Sequence, residues 1–290
     1  MTALRFKQVI VMGIGTVAAQ CAVKVKERFD NVLFFESRSD TVMTQEKFCL
    51  NKGINYRMGG GEIEITNYLT TISEPTLIVS VSNRYIFPAE VVNKECLTIV
   101  NYHGALLPKY PGRNAEAWAI YNGENEGGIT WHKVSTGIDE GDILTQVKVP
   151  ITEKTTSFLL LREYGRVAIS SFADLFPQLL YGTIKCTRQQ GERGELYLAK
   201  MRPNNSLLNP EWDGHQISCF LRAMDYGPLQ TMGCPVINDR HILKYSIRAE
   251  INERDTLEYN EDSSEITIRK RNFTFCLQVK TNCPNNENYN

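Results

Sequence analysis

What the 290-residue sequence lacks narrows its class first. No apolar run approaches the roughly 18 residues that a membrane-crossing helix needs. The opening MTALRFK has no apolar stretch of the export type, so the expectation is a soluble, cytoplasmic protein with no membrane partner. The eight cysteines, at 21, 49, 96, 186, 219, 234, 276 and 283, include no C-x-x-C pair and match no zinc spacing. In a chain of this size they read as small buried hydrophobes in a reducing compartment, which argues against a disulfide framework. An excess of one charge is missing too: 32 Lys and Arg face 33 Asp and Glu, for a net charge of −1. The only dense basic run is Arg269-Lys270-Arg271, and beyond Glu195 acidic residues slightly outnumber basic ones. A chain of this kind is not expected to bind nucleic acid, because holding a polyanion takes clustered Lys and Arg. No internal repeat is present.

What is there is an alternation. Short apolar runs end near Gly13 (QVIVM), Glu36 (NVLFFE), Val81 (TLIVSV) and Asn101 (LTIVN), and helical patterns fall at Thr16–Arg28 and Thr41–Lys52. Strands alternating with helices imply right-handed crossovers and a mostly parallel, Rossmann-like α/β sheet. Ligands bind such sheets at the carboxyl ends of the strands. Three features fall at such ends: Gly13-Ile14-Gly15, Ser82-Asn83-Arg84 and Asn101-Tyr102-His103.

Further along, Ala115–Tyr121 is expected to be a helix, and Gly128–Val134 and Asp142–Val149 to be strands. Ser157–Leu180 reads as a long amphipathic helix with Leu160, Tyr164, Val167, Ser171, Leu175 and Leu179 near one face. The polar stretch 187–209 reads as a linker. A helix over Pro210–Met224 and strand-like runs at 242–249, 264–269 and 273–280 form a small β-rich C-terminal domain. The expected organisation is therefore a domain over 1–186, a linker over 187–209, a small α+β domain over 210–283 and a disordered tail over 284–290.

Asn101 and His103 stand two apart at a strand end, so their side chains share a side. A carboxamide N–H can stabilise an oxyanion, and an imidazole can carry a proton between an attacking and a leaving amine. Asp139, set between Gly137 and Gly141, is a carboxylate that could orient the imidazole. Each residue also has a plainer explanation: Asn in a turn, His in a core, Asp as a turn residue. Spacing alone leaves both readings open.

The stretch Asn101-Tyr-His-Gly-Ala-Leu-Leu-Pro-Lys-Tyr-Pro-Gly112 resembles the N-x-H-x-S-L-L-P-x-Y-x-G signature of the formyltetrahydrofolate-dependent formyltransferases. The likeness continues through Ala119–Glu124, Gly128–His132 and Ile138–Leu144; Ala105 stands where the family usually has serine. The resemblance implies the formyltransferase fold, N10-formyltetrahydrofolate as co-substrate, no metal, and Asn101, His103 and Asp139 as the catalytic residues. It implies direct attack of an amine on the formyl carbon, with Asn101 and a protonated His103 stabilising the oxyanion and Asp139 holding His103. It also implies folate contacts at Arg84, Tyr85, Ile86 and Asp142, largely through backbone groups. Tyr85–Pro88 equally reads as packing at a helix entry. His132 reads as structural or as supporting the site; His215 and His241 read as surface or packing residues.

Gly13-Ile-Gly15-Thr-Val-Ala18, with Glu36 closing the next strand, has the form of a dinucleotide fingerprint. The formyltransferase signature is much longer and outweighs it; the glycines then serve close packing or contact a substrate phosphate.

The acceptor is expected to be a small-molecule or carrier-tethered amine of the aminoacyl type, because Asn114–Ile120 and Phe220–Pro228 resemble segments of peptide-synthetase formylation domains. The alternatives are a nucleotide-linked amino sugar, methionyl-tRNA, and a non-catalytic folate- or dinucleotide-binding protein. Oligomeric state is left open.

Overall fold

Gln8–Gly13 (β1) is apolar from Val9 onward because both faces are covered there: Val9 to Met12 have no exposed surface. The computed structural model describes residues 4–37, 44–229 and 231–281. After β1 come α1 (Gly15–Lys26), β2 (Val32–Glu36), α2 (Glu46–Asn51), β3 (Asn55–Met58), α3 (Glu62–Thr71), β4 (Thr76–Val81), α4 (Ala89–Val92) and β5 (Leu97–His103). Next are α5 (Ala115–Tyr121), β6 (Glu126–Lys133), β7 (Ile143–Pro150), α6 (Ser157–Leu180) and α7 (Gly214–Met224). The chain closes with β8 (Val236–Ile237), β9 (Arg240–Ala249), β10 (Thr256–Asn260), β11 (Glu265–Lys270) and β12 (Phe273–Lys280).

The first seven strands form one sheet in the order β3-β2-β1-β4-β5-β6-β7. β1 to β5 pair in parallel, and β6 runs antiparallel to β5. The mostly parallel α/β expectation holds. Strand order reverses between β1 and β4, the kind of switch point where such sheets take ligands. The last five strands make an antiparallel sheet in the order β10-β11-β12-β9-β8.

The chain divides into two compact units, neither of them continuous in sequence. One comprises Met1–Gly112, Gly128–Val149 and Glu163–Leu196; the other comprises Arg113–Gly127, Pro150–Arg162 and Tyr197–Asn290. In the first, Ile10, Met12, Phe35, Leu69, Ile78, Tyr85 and Val91 belong to one buried cluster. In the second, Ile266, Ile268, Phe275 and Leu277 are buried under the antiparallel sheet, and α5 packs on α7, with the Tyr226 hydroxyl donating to the buried Glu116 carboxylate at 2.7 Å.

The helix expected over Ser157–Leu180 has those bounds, with Leu160, Tyr164, Val167, Leu175 and Leu179 buried. Ser171 sits half-buried on it and accepts a hydrogen bond from the Trp131 indole. The sequence reading passes over β3 and α3. β3 is an edge strand with three exposed positions and no apolar run, and α3 is rich in Thr and Ile, which are weak helix formers. Of the helix expected at Thr41–Lys52, the first residues lie outside the described ones, and the helix found is Glu46–Asn51. Cys283 and the 284–290 tail also lie outside them. The cysteines need a correction: Cys21, Cys49 and Cys219 are buried, but Cys186 is exposed and Cys96, Cys234 and Cys276 are only partly covered. Cys276 sits in an apolar run, yet alternation along β12 places it between the buried Phe275 and Leu277 on the opposite face.

Candidate active site

Asn101 and His103 lie at the carboxyl end of β5, where register decides their neighbours. Asn101 pairs with Ser80 on β4 and with His132 on β6; His103 pairs with Thr130. Directly opposed residues share a face, so the antiparallel β6 adds its own histidine beside the Asn101 amide. The Asn101 Nδ2 to His132 Nε2 distance is 3.1 Å.

Asp139 joins them from the loop after β6. Its Oδ1 lies 3.5 Å from His132 Nε2 and its Oδ2 3.5 Å from His103 Nδ1. Gly112 N–H donates to Oδ2 at 2.8 Å. The contacts run unbroken from Asn101 through His132 and Asp139 to His103, and His103 Nε2 donates to the Tyr110 carbonyl at 2.8 Å. Because a carbonyl only accepts, Nε2 carries the proton in the neutral His103 ring and Nδ1 keeps a lone pair toward Asp139. His132 donates from Nδ1 to the Lys133 carbonyl at 2.8 Å. In the neutral ring this leaves Nε2 to accept from the Asn101 amide.

The electrostatics follow from burial. His103 is 6% exposed, and loss of solvent lowers its pKa below the ordinary value, with Asp139 and the Tyr110 carbonyl pulling the other way. Burial alone would raise the Asp139 carboxyl. In acid, where the two rings are protonated, the hydrogen bond from His132 and the charge of His103, together with the Gly112 N–H, overcome it and hold the carboxyl at about 2. Asp139 is thus an anion beside an imidazole that burial keeps neutral at rest. The protonated His103 implied by the resemblance has to be generated during the reaction.

The loop after β5 is fixed by a buried hydroxyl. Thr130 Oγ1 donates to the Ala105 carbonyl at 2.6 Å and accepts from Leu107 N–H and Gln146 Nε2. Gln146 also donates to the Leu107 carbonyl. Gly104 is not forced by space, since a Cβ there would make only ordinary contact with the Tyr164 ring, at 3.4 Å.

The folate candidates are placed less closely. Arg84 and Ile86 are exposed. The Tyr85 side chain is buried in the core, with its hydroxyl 2.7 Å from that of Thr66, and its backbone N–H donates to Asn83 Oδ1 at 3.1 Å. Asp142 is half-buried, and its carbonyl takes the Lys133 N–H.

In the glycine fingerprint, Gly13 serves packing, whereas Gly15 has open space around it. A Cβ on Gly13 would collide with the Val81 carbonyl oxygen across the β1-β4 pair. Glu36, which a dinucleotide reading would aim at a ribose, is 3% exposed and accepts from the Tyr56 hydroxyl and the Gln45 N–H. His215 is exposed and His241 partly so, in keeping with a surface or packing role. The residue undervalued in the sequence is His132. Its signal was its place in an apolar β-run, but pairing of that run with β5 is not written locally.

Residues 42–166 match the family model described as formyl transferase. The matched span contains Asn101, His103, His132 and Asp139. GDP-perosamine N-formyltransferase of Brucella melitensis is 32% identical over 155 residues, covering 53% of this chain and 59% of that protein. Methionyl-tRNA formyltransferase of Dictyoglomus thermophilum is 27% identical over 186 residues, covering 63% and 59%. The chain thus spans about three-fifths of the length of these curated relatives. Among solved structures, an N-formyltransferase from Helicobacter canadensis shares the fold with a TM-score of 0.78 at 20% identity, covering 94% of this chain and 99% of that one.

Proposed function

We propose that this chain transfers the formyl group of N10-formyltetrahydrofolate to the primary amine of a nucleotide-linked amino sugar. The observation that carries the transfer chemistry is the Asn101–His132–Asp139–His103 cluster, with both imidazoles buried, at a strand end within the span matched to the formyl transferase model.

The amine nitrogen attacks the formyl carbon, and the carbonyl electrons move onto oxygen. The Asn101 amide N–H donates to that oxyanion. The neutral His103 takes the proton lost by the amine, directly or through a water, and Asp139 stabilises the imidazolium so formed. The intermediate collapses, the bond from carbon to N10 breaks, and His103 returns the proton to N10. No group on the protein changes its covalent state. Arg84, Ile86 and Asp142, with the backbone carbonyl of Tyr85, are proposed to meet the folate.

The choice of acceptor departs from the aminoacyl expectation. The similarity to GDP-perosamine N-formyltransferase, and to a fold relative whose structure was determined with folinic acid and dTDP-3-aminofucose, favours an amino sugar. A methionyl-tRNA acceptor is disfavoured by the lack of a basic surplus beyond Glu195.

The test is formyl transfer from N10-formyltetrahydrofolate to a panel of GDP-, dTDP- and UDP-linked amino sugars, aminoacyl carrier proteins and methionyl-tRNA. Turnover with an amino-sugar nucleotide supports the proposal. Turnover only with a carrier or tRNA overturns the acceptor, and turnover with none overturns the enzyme reading.

A further inference from the structure

Residues Thr187–Gly194 (TRQQGERG) follow α6, lie outside the span matched to the formyl transferase family, and have the composition of a linker. Their contacts are those of a fastening. Thr187 and Ile143 exchange both backbone hydrogen bonds, at 2.8 and 2.9 Å, which sets the segment in register with the start of β7. Gln189 Nε2 donates to the carbonyls of Asp139 and Gly141 at 2.7 and 2.8 Å. Arg193 Nη2 donates to the Ile138 carbonyl at 2.9 Å, and Nη1 pairs with the Glu140 carboxylate. Gly194 N–H donates to the Pro108 carbonyl at 3.0 Å, and a Cβ there would run into the backbone of Lys109 and Tyr110.

We propose that Thr187–Gly194 is a positioning strap for Asp139, with Gln189 and Arg193 as the residues that decide where its carboxylate stands. The inference rests on the reading of Asn101, His103 and Asp139 as the reacting group. Asp139 has φ +55°, a left-handed conformation uncommon for non-glycine residues though tolerated by Asp, and here its contacts fix it. The holding groups are on the strap: every residue from Ile138 to Gly141 either gives it a carbonyl or pairs with it by side chain. With its carbonyl fixed on Gln189, Asp139 turns its carboxylate to the opposite side, toward His103, His132 and the Gly112 N–H. The far end of the strap holds Pro108, two residues before the Tyr110 carbonyl that takes the His103 proton. One segment thereby indexes both partners of the His103 ring.

A purely structural strap and a positioning strap differ in what they do to His103. The chain has only four histidines, so the imidazole signals can be followed one by one by NMR. Asp139 draws the His103 titration upward. In full-length Gln189→Ala, the carboxylate drifts and the His103 titration midpoint falls further. The same variant loses about 10- to 100-fold in kcat, with KM for the amine little changed. Arg193→Lys, which keeps a donor for the Ile138 carbonyl, loses less than Arg193→Ala. A Gln189→Ala protein with the wild-type His103 titration overturns the strap, whatever its activity. If the wild type transfers no formyl group at all, the enzyme reading fails, and the titration still decides the strap. Should Gln189→Ala not fold, the same titration on Arg193→Ala decides, since that side chain is 44% exposed and its loss opens no core.

Discussion

The Asn101 amide nitrogen lies 3.1 Å from His132 Nε2, across the β5-β6 pair. The two residues are 31 apart in sequence, and the antiparallel register alone brings them together. His132 fixes the Asn101 amide because its own Nδ1 is committed to the Lys133 carbonyl. The amide nitrogen then faces the ring, and its second N–H is the donor offered to an oxyanion.

His132→Ala is therefore expected to act through Asn101. The amide loses its anchor, and Asp139 loses the ring that stands 3.5 Å away. Removing one oxyanion donor costs about 10²- to 10³-fold in kcat, and His132→Ala, which misplaces the donor, should cost less than Asn101→Ala. His103→Ala, which removes the proton carrier, should cost about 10²- to 10⁴-fold. Steady-state formyl transfer assays compare the three. His132→Ala at wild-type kcat sinks the anchoring role.

The pH dependence follows from the lowered His103 titration. The working form of the ring is neutral, so activity falls on the acid side as the ring is protonated. Because burial places that titration below the ordinary 6.5, kcat/KM should stay level through pH 7 and fall only below 6.5. An acid limb centred at or above 6.5 contradicts the assignment of His103 as the proton acceptor.

Asp139 leaves a signature in stability. Its folded titration, at about 2, lies below the ordinary 3.8. The ionised group therefore contributes stability that is fully present above 3.8 and is lost as pH falls through about 2. Asp139→Asn should be less stable than wild type above pH 3.8, with the gap closing as pH falls through about 2. Urea unfolding at a series of pH values measures it; a gap that does not depend on pH would refute the linkage.

The buried hydroxyl of Thr130 should matter more than its size suggests. Thr130→Val keeps the shape but strands the Leu107 N–H, the Ala105 carbonyl and one Gln146 donor. A buried group left without its partner costs about 1–3 kcal/mol. Chemical denaturation should show a loss in that range, with lowered kcat because Leu107 begins the turn toward Tyr110.

The two glycines of the fingerprint should respond differently. Gly13→Ala drives a Cβ into the Val81 carbonyl and should destabilise by about 1–3 kcal/mol, as overpacking does. Gly15 has φ +76° with open space around it, so Gly15→Ala costs only the strain of a left-handed alanine, about 1–2 kcal/mol. Thermal unfolding ranks the two; equal or reversed losses would remove the packing explanation for Gly13.

Much of the fold can be read from local pattern, and the failures have causes. The apolar runs that became β1, β2, β4 and β5 are legible because buried parallel strands must be apolar on both faces. β3 is not, because an exposed edge strand carries no such run. Among candidate site residues, Asn101, His103 and Asp139 stand together as the signature implies. Tyr85 shows the limit: its side chain is spent on the core, which a resemblance cannot reveal.

By itself the sequence determined the α/β alternation, the strand ends that could bear chemistry, and the identity of the amide, imidazole and carboxylate. Those depend on residue type and on periods of two and 3.6, which are local. The tertiary structure alone decided that β6 runs antiparallel beside β5, that His132 thereby faces Asn101, and that residues 187–194 hold the Asp139 loop. Each of these joins segments 30 to 55 residues apart through hydrogen bonds whose partners no local pattern names.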